Sequence, residues 1–193
     1  MTIFIHKTAI VDDGAIIGDG TKVWHWTHVS SRASIGRNCS LGQNVYIADN
    51  VKIGDNCKIQ NNVSIYEGVT IGNNVFCGPS MVFTNVINPR SEVNRKSEYL
   101  QTIVEDGVTF GANCTIVCGN KIGSSSFVAA GSVVTKNTKP FSLNIGVPAR
   151  HAGWISAFGR AINLPLDGEG EYICPDSNNK YFLRNGLMTM EKL

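Results

Sequence analysis

The chain has 193 residues, a formal net charge of +2, 42% hydrophobic residues and 17% charged ones. That balance leaves no basic surplus for nucleic acid and no polybasic stretch for an anionic membrane. No apolar run is long enough to span a bilayer, and the opening MTIFIHKTAIVDDG lacks the basic-then-apolar order of a secretion signal.

The first element recurs along most of the chain. An aliphatic slot steps by six residues from Ile5 through Val11, Ile17, Val23, Val29, Ile35, Leu41, Ile47, Ile53, Ile59, Ile65 and Ile71 to Cys77 and Phe83. It resumes at Val104 and continues through Phe110, Ile116, Ile122 and Val128 to Val134. A helix needs a period near 3.6 and a strand a period of 2, so six fits neither. It fits short strands joined by turns, three to a coil, with residues eighteen apart stacked. Gly, Asn and Asp at Gly18-Asp19-Gly20, Asp49-Asn50, Asp55-Asn56 and Asn73-Asn74 tolerate the left-handed backbone that corners require. The expected fold is all-β, a parallel β-helix of hexapeptide repeats over residues 1–140.

Of the six cysteines, Cys39, Cys57 and Cys114 take the small inward slot and Cys77 the aliphatic one. With no CxxC pair, burial as small apolar residues explains them better than a disulfide framework or zinc site. Reduced thiols and the absent signal place the protein in the cytoplasm.

Residues 89–103, PRSEVNRKSEYLQTI, break the phase. Restoring it needs fifteen extra residues, read as an inserted corner loop that leans functional. From residue 141 to 193 the repeat is gone. PFSLNIGVPAR reads as an extended exit, and His151 to Asn163 as a short amphipathic helix with Trp154, Ile155, Phe158 and Ile162 on one side. That helix would cap the solenoid's open end. Beyond it, Tyr172-Ile173-Cys174 against Tyr181-Phe182-Leu183 suggests a hairpin turning at Asp176 to Asn179.

Counting in eighteens stacks His25, Gln43, Asn61 and Pro79; Trp26, Asn44, Asn62 and Ser80; His28, Tyr46, Ser64 and Val82; and Asp49, Glu67 and Asn85. Stacked amides such as Asn44 and Asn62 can simply bond to each other. His25, Gln43 and Asn61 beside Trp26 are a less ordinary mixture, able to read a pyrimidine base and sugar hydroxyls.

The array resembles the left-handed β-helix acyltransferases over nearly the whole chain, including the exit GVPAR. The strings VWHWTHV, SLGQNVYI, KIQNNVSIYEGV, FCGPSMVFTNVINPR, RKSEY and GANCTIVCG resemble the sugar-nucleotide 3-N-acetyltransferases more narrowly. That resemblance implies a left-handed coil and a homotrimer with active sites between subunits. It also implies acetyl-CoA as co-substrate along the C-terminal coils, and a nucleotide sugar entering from the N-terminal side. The favoured substrate is UDP-2-acetamido-3-amino-2,3-dideoxy-D-glucuronate, used for surface polysaccharide; a dTDP-linked 3-amino-3,6-dideoxyhexose is the alternative.

On this reading Asn85, the last repeat residue before the loop, orients the attacking amine, and the Gly111 N–H meets the oxyanion. The insertion holds no histidine, so no dedicated histidine base is expected; His28 and Glu67 are the fallback. Substrate contacts fall to His25, Trp26, His28, Gln43, Tyr46, Asn61 and Glu67. In the loop, Arg90, Lys96 and Glu98 join them, the cations for a pyrophosphate or carboxylate. Pantetheine can lie along Gly111, Gly119, Ala129 and Ala130, with Lys136, Pro148 and Arg150 at the phosphate end. No metal is expected. A non-catalytic β-helix scaffold is the rival from another class. A carbonic-anhydrase-like site would need three converging histidines, which His25 and His28 on one short strand do not supply.

Overall fold

A computed structural model describes residues 2–192. It is a left-handed parallel β-helix, triangular in section, with each face built from two- or three-residue strands. The first face begins at Phe4–Ile5 and runs through Lys22–Val23 and Ser40–Leu41 to Phe127–Val128. The second runs from Ile10–Val11 through His28–Val29 and Tyr46–Ile47 to Val133–Val134. The third runs from Ile16–Ile17 to Lys121–Ile122. Lys58 pairs with Phe76, eighteen residues on, and Phe76 with Thr109, thirty-three on. The difference is the fifteen-residue insertion. Among the described residues no helix is long and apolar enough to cross a membrane.

The inward slots close into one column of core. Val23, Leu41, Ile59, Cys77, Phe110 and Val128 of the first face are fully buried, as are Val29, Ile47, Ile65 and Ile116 of the second. Thr21 and Thr27, in the small slot, are buried too, and their hydroxyls donate to the Gly36 and Gly42 carbonyls at 2.8 Å. The stacked coils leave little room at the corners. A Cβ on Gly54 would sit 2.7 Å from the Gly72 carbonyl and 2.6 Å from Asn73 Oδ1. The coil above is held by the Gly54 N–H to Ile71 O bond at 2.9 Å and cannot retreat freely. Gly54→Ala is therefore expected to cost roughly 1–3 kcal/mol by overpacking. Urea unfolding measures it, and an unchanged midpoint would mean that the coil spacing is soft.

The insertion starts earlier and ends earlier than the period alone suggests. Thr102–Val104 is already a strand of the third face, with Val69 opposite Thr102. The excursion thus leaves just after Asn85 and returns by Gln101. It holds an Arg90–Val93 bridge and a single 3-10 turn at Lys96–Glu98.

The expected helix over 151–163 is not there. Ser142–Gly146 extends the first face, and Ala149–Ile155 turns back antiparallel beside it, with Ala161–Ile162 next. The apolar spacing resembled a helical stripe, but an open sheet edge was the stronger partner, and Gly153 and Gly159 weaken a helix. Trp154, Ile155 and Ile162 are buried, whereas Phe158 is 64% exposed. The hairpin forms, but two residues off the expected register, with Tyr172 opposite Tyr181 and Gly170 opposite Leu183, and Leu187–Glu191 adds a third strand. Phe141, Trp154, Ile162, Cys174, Tyr181, Leu183 and Met188 form a second apolar cluster over the solenoid's last coil. Lys139 Nζ ties it to the Gly186 carbonyl at 2.7 Å.

Candidate active site

Most of the singled-out residues of the coils divide between two corners of the prism. The corner joining the first and second faces carries His25, Gln43, Asn61, Gly111, Ala129 and Ala130. Its rungs are the bonds Asn44 N–H to His25 O, Asn62 N–H to Gln43 O and Ser80 N–H to Asn61 O, at 2.9, 3.0 and 3.0 Å. Asn113 N–H to Pro79 O and Gly131 N–H to Ala112 O continue them at 3.1 and 2.9 Å. The corner joining the second and third faces carries Asp49, Glu67, Asn85, Gly119 and Lys136. One whole face, about 20 Å of extended chain at 3.3 Å per residue, separates them.

At the first corner the turn residue has φ between 54° and 61° at Trp26, Asn44, Asn62, Ser80 and Asn113. Asparagine tolerates that backbone; a tryptophan there costs roughly 1–2 kcal/mol. The amides of Asn44 and Asn62 bond to each other at 3.1 Å, the simple ladder that stacking allows. Asn61 Oδ1 accepts the Gln43 N–H at 2.9 Å. Two partners of this corner were not anticipated. His6 stacks on His25 with ring centroids 3.6 Å apart, and Trp24 donates Nε1–H to Ser40 Oγ at 3.3 Å. Desolvation, then the neighbouring His25 and Lys7, hold His6 below the usual imidazole value. A groove of about 350 Å³ beside them is lined by Trp24, His25, Gln43, Gln60 and Asn61.

Gly111 lies in this column, but its N–H already donates to the Val128 carbonyl at 2.8 Å as part of the coil ladder. It has no hydrogen left for an oxyanion, so that part of its expected role is withdrawn. Its closeness to the next coil remains: a Cβ there would lie 2.4 Å from Ala130 N.

At the second corner, Asp49 bonds to Arg32 at 3.1 Å and Glu67 accepts from Asn50 Nδ2 at 2.6 Å. Both carboxylates thus have structural partners. Asn85 sits at the loop base, where its carbonyl accepts the Leu100 N–H at 3.0 Å. Leu100 packs over Gly119, 3.2 Å from where a Cβ would stand. The anchor is backbone, which leaves the Asn85 side chain free of that duty. Within the loop, Glu98 is bound by both of its oxygens to Arg95, at 2.7 and 2.9 Å. Arg95 escaped the sequence reading, although its i,i+3 spacing to Glu98 was a usable signal. Arg90, Arg95, Lys96 and Tyr99 line a cleft of about 260 Å³ in the loop. On the third face below it, Arg32, Lys52, Glu67, Thr70 and Gln101 line a polar groove of about 600 Å³, also unanticipated.

His28 and Tyr46 lie between the corners, on the second face. His28 Nε2 is 3.0 Å from Asp12 Oδ2, and the Tyr46 ring lies between His28 and Tyr66 at 5.6 and 6.1 Å. At the C-terminal end, Lys136, Lys139, Arg150 and His151 line a cationic groove of about 250 Å³, while Pro148 stays at the hairpin tip. Burial first of all keeps His151 below the usual imidazole value. Burial pushes the Cys77 thiol up, and that of Cys114 to about 12, so neither of these two is a nucleophile.

Comparison with known proteins agrees with the coil pattern. A family described as bacterial transferase hexapeptide (six repeats) matches residues 14–49, 32–66 and 50–79, and the hexapeptide repeat of succinyl-transferase matches 101–136. The dTDP-3-amino-3,6-dideoxy-α-D-galactopyranose 3-N-acetyltransferase of Aneurinibacillus thermoaerophilus is 47% identical over 55 residues, 28% of this chain and 29% of that one. The matched region thus spans under a third of that relative's length. A hexapeptide-repeat acetyltransferase from Vibrio cholerae is 28% identical with a TM-score of 0.54, covering 72% of this chain and 73% of that one. The perosamine N-acetyltransferase of Caulobacter crescentus, solved with CoA and GDP-perosamine, is 20% identical with a TM-score of 0.51, covering 79% and 57%. At that identity it shares the fold alone.

Proposed function

Since the chain belongs to the hexapeptide-repeat transferases, we propose that it is an acetyl-CoA-dependent N-acetyltransferase acting on the 3-amino group of a nucleotide-linked sugar. The observation that carries the reading is the placement of Asn85. It stands where the coil opens into a cationic loop, with its backbone already anchored and its amide available. Support comes from the Aneurinibacillus relative, named for a dTDP-linked 3-amino sugar, and from the Vibrio cholerae protein, named a hexapeptide-repeat acetyltransferase. The finer substrate we favour is the UDP-linked 2,3-diamino hexuronate, with the dTDP-linked deoxyhexose as alternative.

The neutral amine attacks the thioester carbon, and the tetrahedral intermediate expels CoA thiolate. Asn85 Oδ1 accepts one amine hydrogen and aims the lone pair, which is mainly a positioning effect. The proton passes to the departing thiolate or to water. His28 and Glu67, the fallback bases, are engaged by Asp12 and Asn50. Arg90 and Lys96 face the pyrophosphate or carboxylate, and Lys136 with Arg150 the phosphates of CoA. His25, Trp26, Gln43 and Asn61 take the base and sugar. One chain holds these groups at two corners a full face apart, so a complete site needs the first corner of one copy against the second corner of another. A homotrimer provides that three times over.

The test is release of free thiol from acetyl-CoA in the presence of UDP- and dTDP-linked 3-amino sugars. Release with one of them is expected. No release with any 3-amino sugar nucleotide would defeat the assignment.

A further inference from the structure

We propose that the groove on the third face takes the acidic end of the sugar, with Lys52 as the residue that selects a hexuronate. The inference rests on the acetyltransferase reading and divides the anions which that reading leaves together. The carboxylate goes to Lys52, and Arg90 and Lys96 keep the pyrophosphate.

The groove holds about 600 Å³, against about 350 Å³ at the first corner and about 260 Å³ in the loop. Its charges are not all spent. Arg32 is committed to Asp49 at 3.1 Å. Glu67 keeps its formal charge while it accepts from Asn50. Lys52 has no ion-pair partner among the described residues, whereas Lys121, in the same outward column, is paired with Glu105 at 2.5 Å. One free cation and one carboxylate therefore share the groove with Ser34, Thr70 and Gln101. That set complements a sugar carrying an amine and an acid together.

The order of these groups along the coils matches such a sugar. Glu67 stands one coil before Asn85 in the same corner column. The Gly68 carbonyl accepts the Thr102 N–H at 2.9 Å, and Leu100 is bonded to Asn85, so the rim of the groove is tied to the loop base. Lys52 lies beside Thr70, and Thr70 beside Ile103. Two rungs, about 10 Å in all, separate Lys52 from the level of the loop base. A four-carbon lysine stem covers much of that gap. In a 3-amino hexuronate the amine and the carboxyl group sit on the ring carbons either side of C4. With the amine at Asn85, the acid end lies down the third face, within reach of the Lys52 ammonium. A 6-deoxyhexose puts a methyl group there, which gains nothing from a cation. The shared cleft agrees with this placement. The two corners bracket the second face, so setting corner to corner turns the third face of one copy toward the first face of the next. The groove then opens into the cleft.

The full-length protein is titrated by calorimetry with UDP, UDP-glucose and UDP-glucuronate. The wild type is expected to bind UDP-glucuronate about tenfold or more tighter than UDP-glucose, the scale of one charged hydrogen bond. Lys52→Met keeps the stem and is expected to erase that preference with UDP affinity unchanged. Lys52→Arg keeps the charge and should hold the preference within about threefold. Lys96→Met should weaken all three ligands alike, because they share the pyrophosphate. In turnover, Lys52→Met is expected to raise KM for the 3-amino hexuronate about tenfold with kcat and the acetyl-CoA KM unchanged, the pattern of lost uniform binding. A glucuronate preference that survives Lys52→Met, or that falls with Lys96→Met instead, overturns the assignment. So does a wild type with no preference, and thiol release with the dTDP-linked deoxyhexose would then keep the acetyltransferase reading standing. Failure of that reading shows separately, as no thiol release with any 3-amino sugar nucleotide, and the calorimetry still decides the groove.

Discussion

Asn85→Ala is expected to lower turnover about a hundredfold or more, the scale set by losing a positioned reactant, while moving the melting temperature by no more than a few degrees. The two effects separate because of how the residue is held. The loop base depends on the Asn85 carbonyl and the Leu100 N–H, which alanine keeps. Beside it, Phe83 is buried against Phe110 with centroids 5.6 Å apart, and Thr84 Oγ1 accepts the Cys118 N–H at 3.0 Å. Neither contact involves the amide. If Asn85 were only a corner residue, its loss would change stability as much as rate, or neither. Steady-state kinetics with thermal unfolding on the same preparation decides the matter. Near-wild-type turnover would remove Asn85 from the mechanism. His28→Ala is the control and should keep substantial activity, since His28 is committed to Asp12. Complete loss with intact substrate binding would make it the missing base.

How much of this was legible follows from what each feature depends on. The coils depend on a period, and a period is visible in one dimension: every inward residue from Val23 to Val134 lands where six-residue counting puts it. The division between corners was legible too, but only by phase. His25 to Asp49 is twenty-four residues, one coil of eighteen plus one side of six. Counting in eighteens alone hides the extra side. The strand over 149–155 was not legible, because its partner is the edge that the last coil leaves open, and edge supply is a property of the assembled fold. The Gly111 N–H failed as an oxyanion donor for a similar reason: its acceptor, Val128, belongs to the next coil. Contacts such as His6 on His25 and Asp12 on His28 join residues sixteen to nineteen apart. Their columns can be counted, but their rotamers cannot.

Mixing two inactive variants should restore activity if the site is shared between copies. Asn85→Ala disables the second corner and leaves the first intact. Ala130→Glu places a carboxylate over the pantetheine path at the first corner and leaves the second intact; Ala130 is exposed, so the fold tolerates the change. Each variant alone is expected to be nearly silent. Co-refolded in equal amounts into trimers, a given cleft draws its first corner from one chain and its second from a neighbour. It is sound only when both draws are favourable, so about one quarter of the clefts should work, from one half times one half under cyclic symmetry. A site built within one chain gives a different result. Each chain then carries its own defect whichever copies stand beside it, and mixing restores nothing. The measured quantity is CoA release per chain against the wild type treated the same way. Mass spectrometry on differently tagged variants confirms that subunits have exchanged. Silent mixed trimers would sink the shared-cleft arrangement. Recovery near one quarter would fix which two corners of the prism face each other.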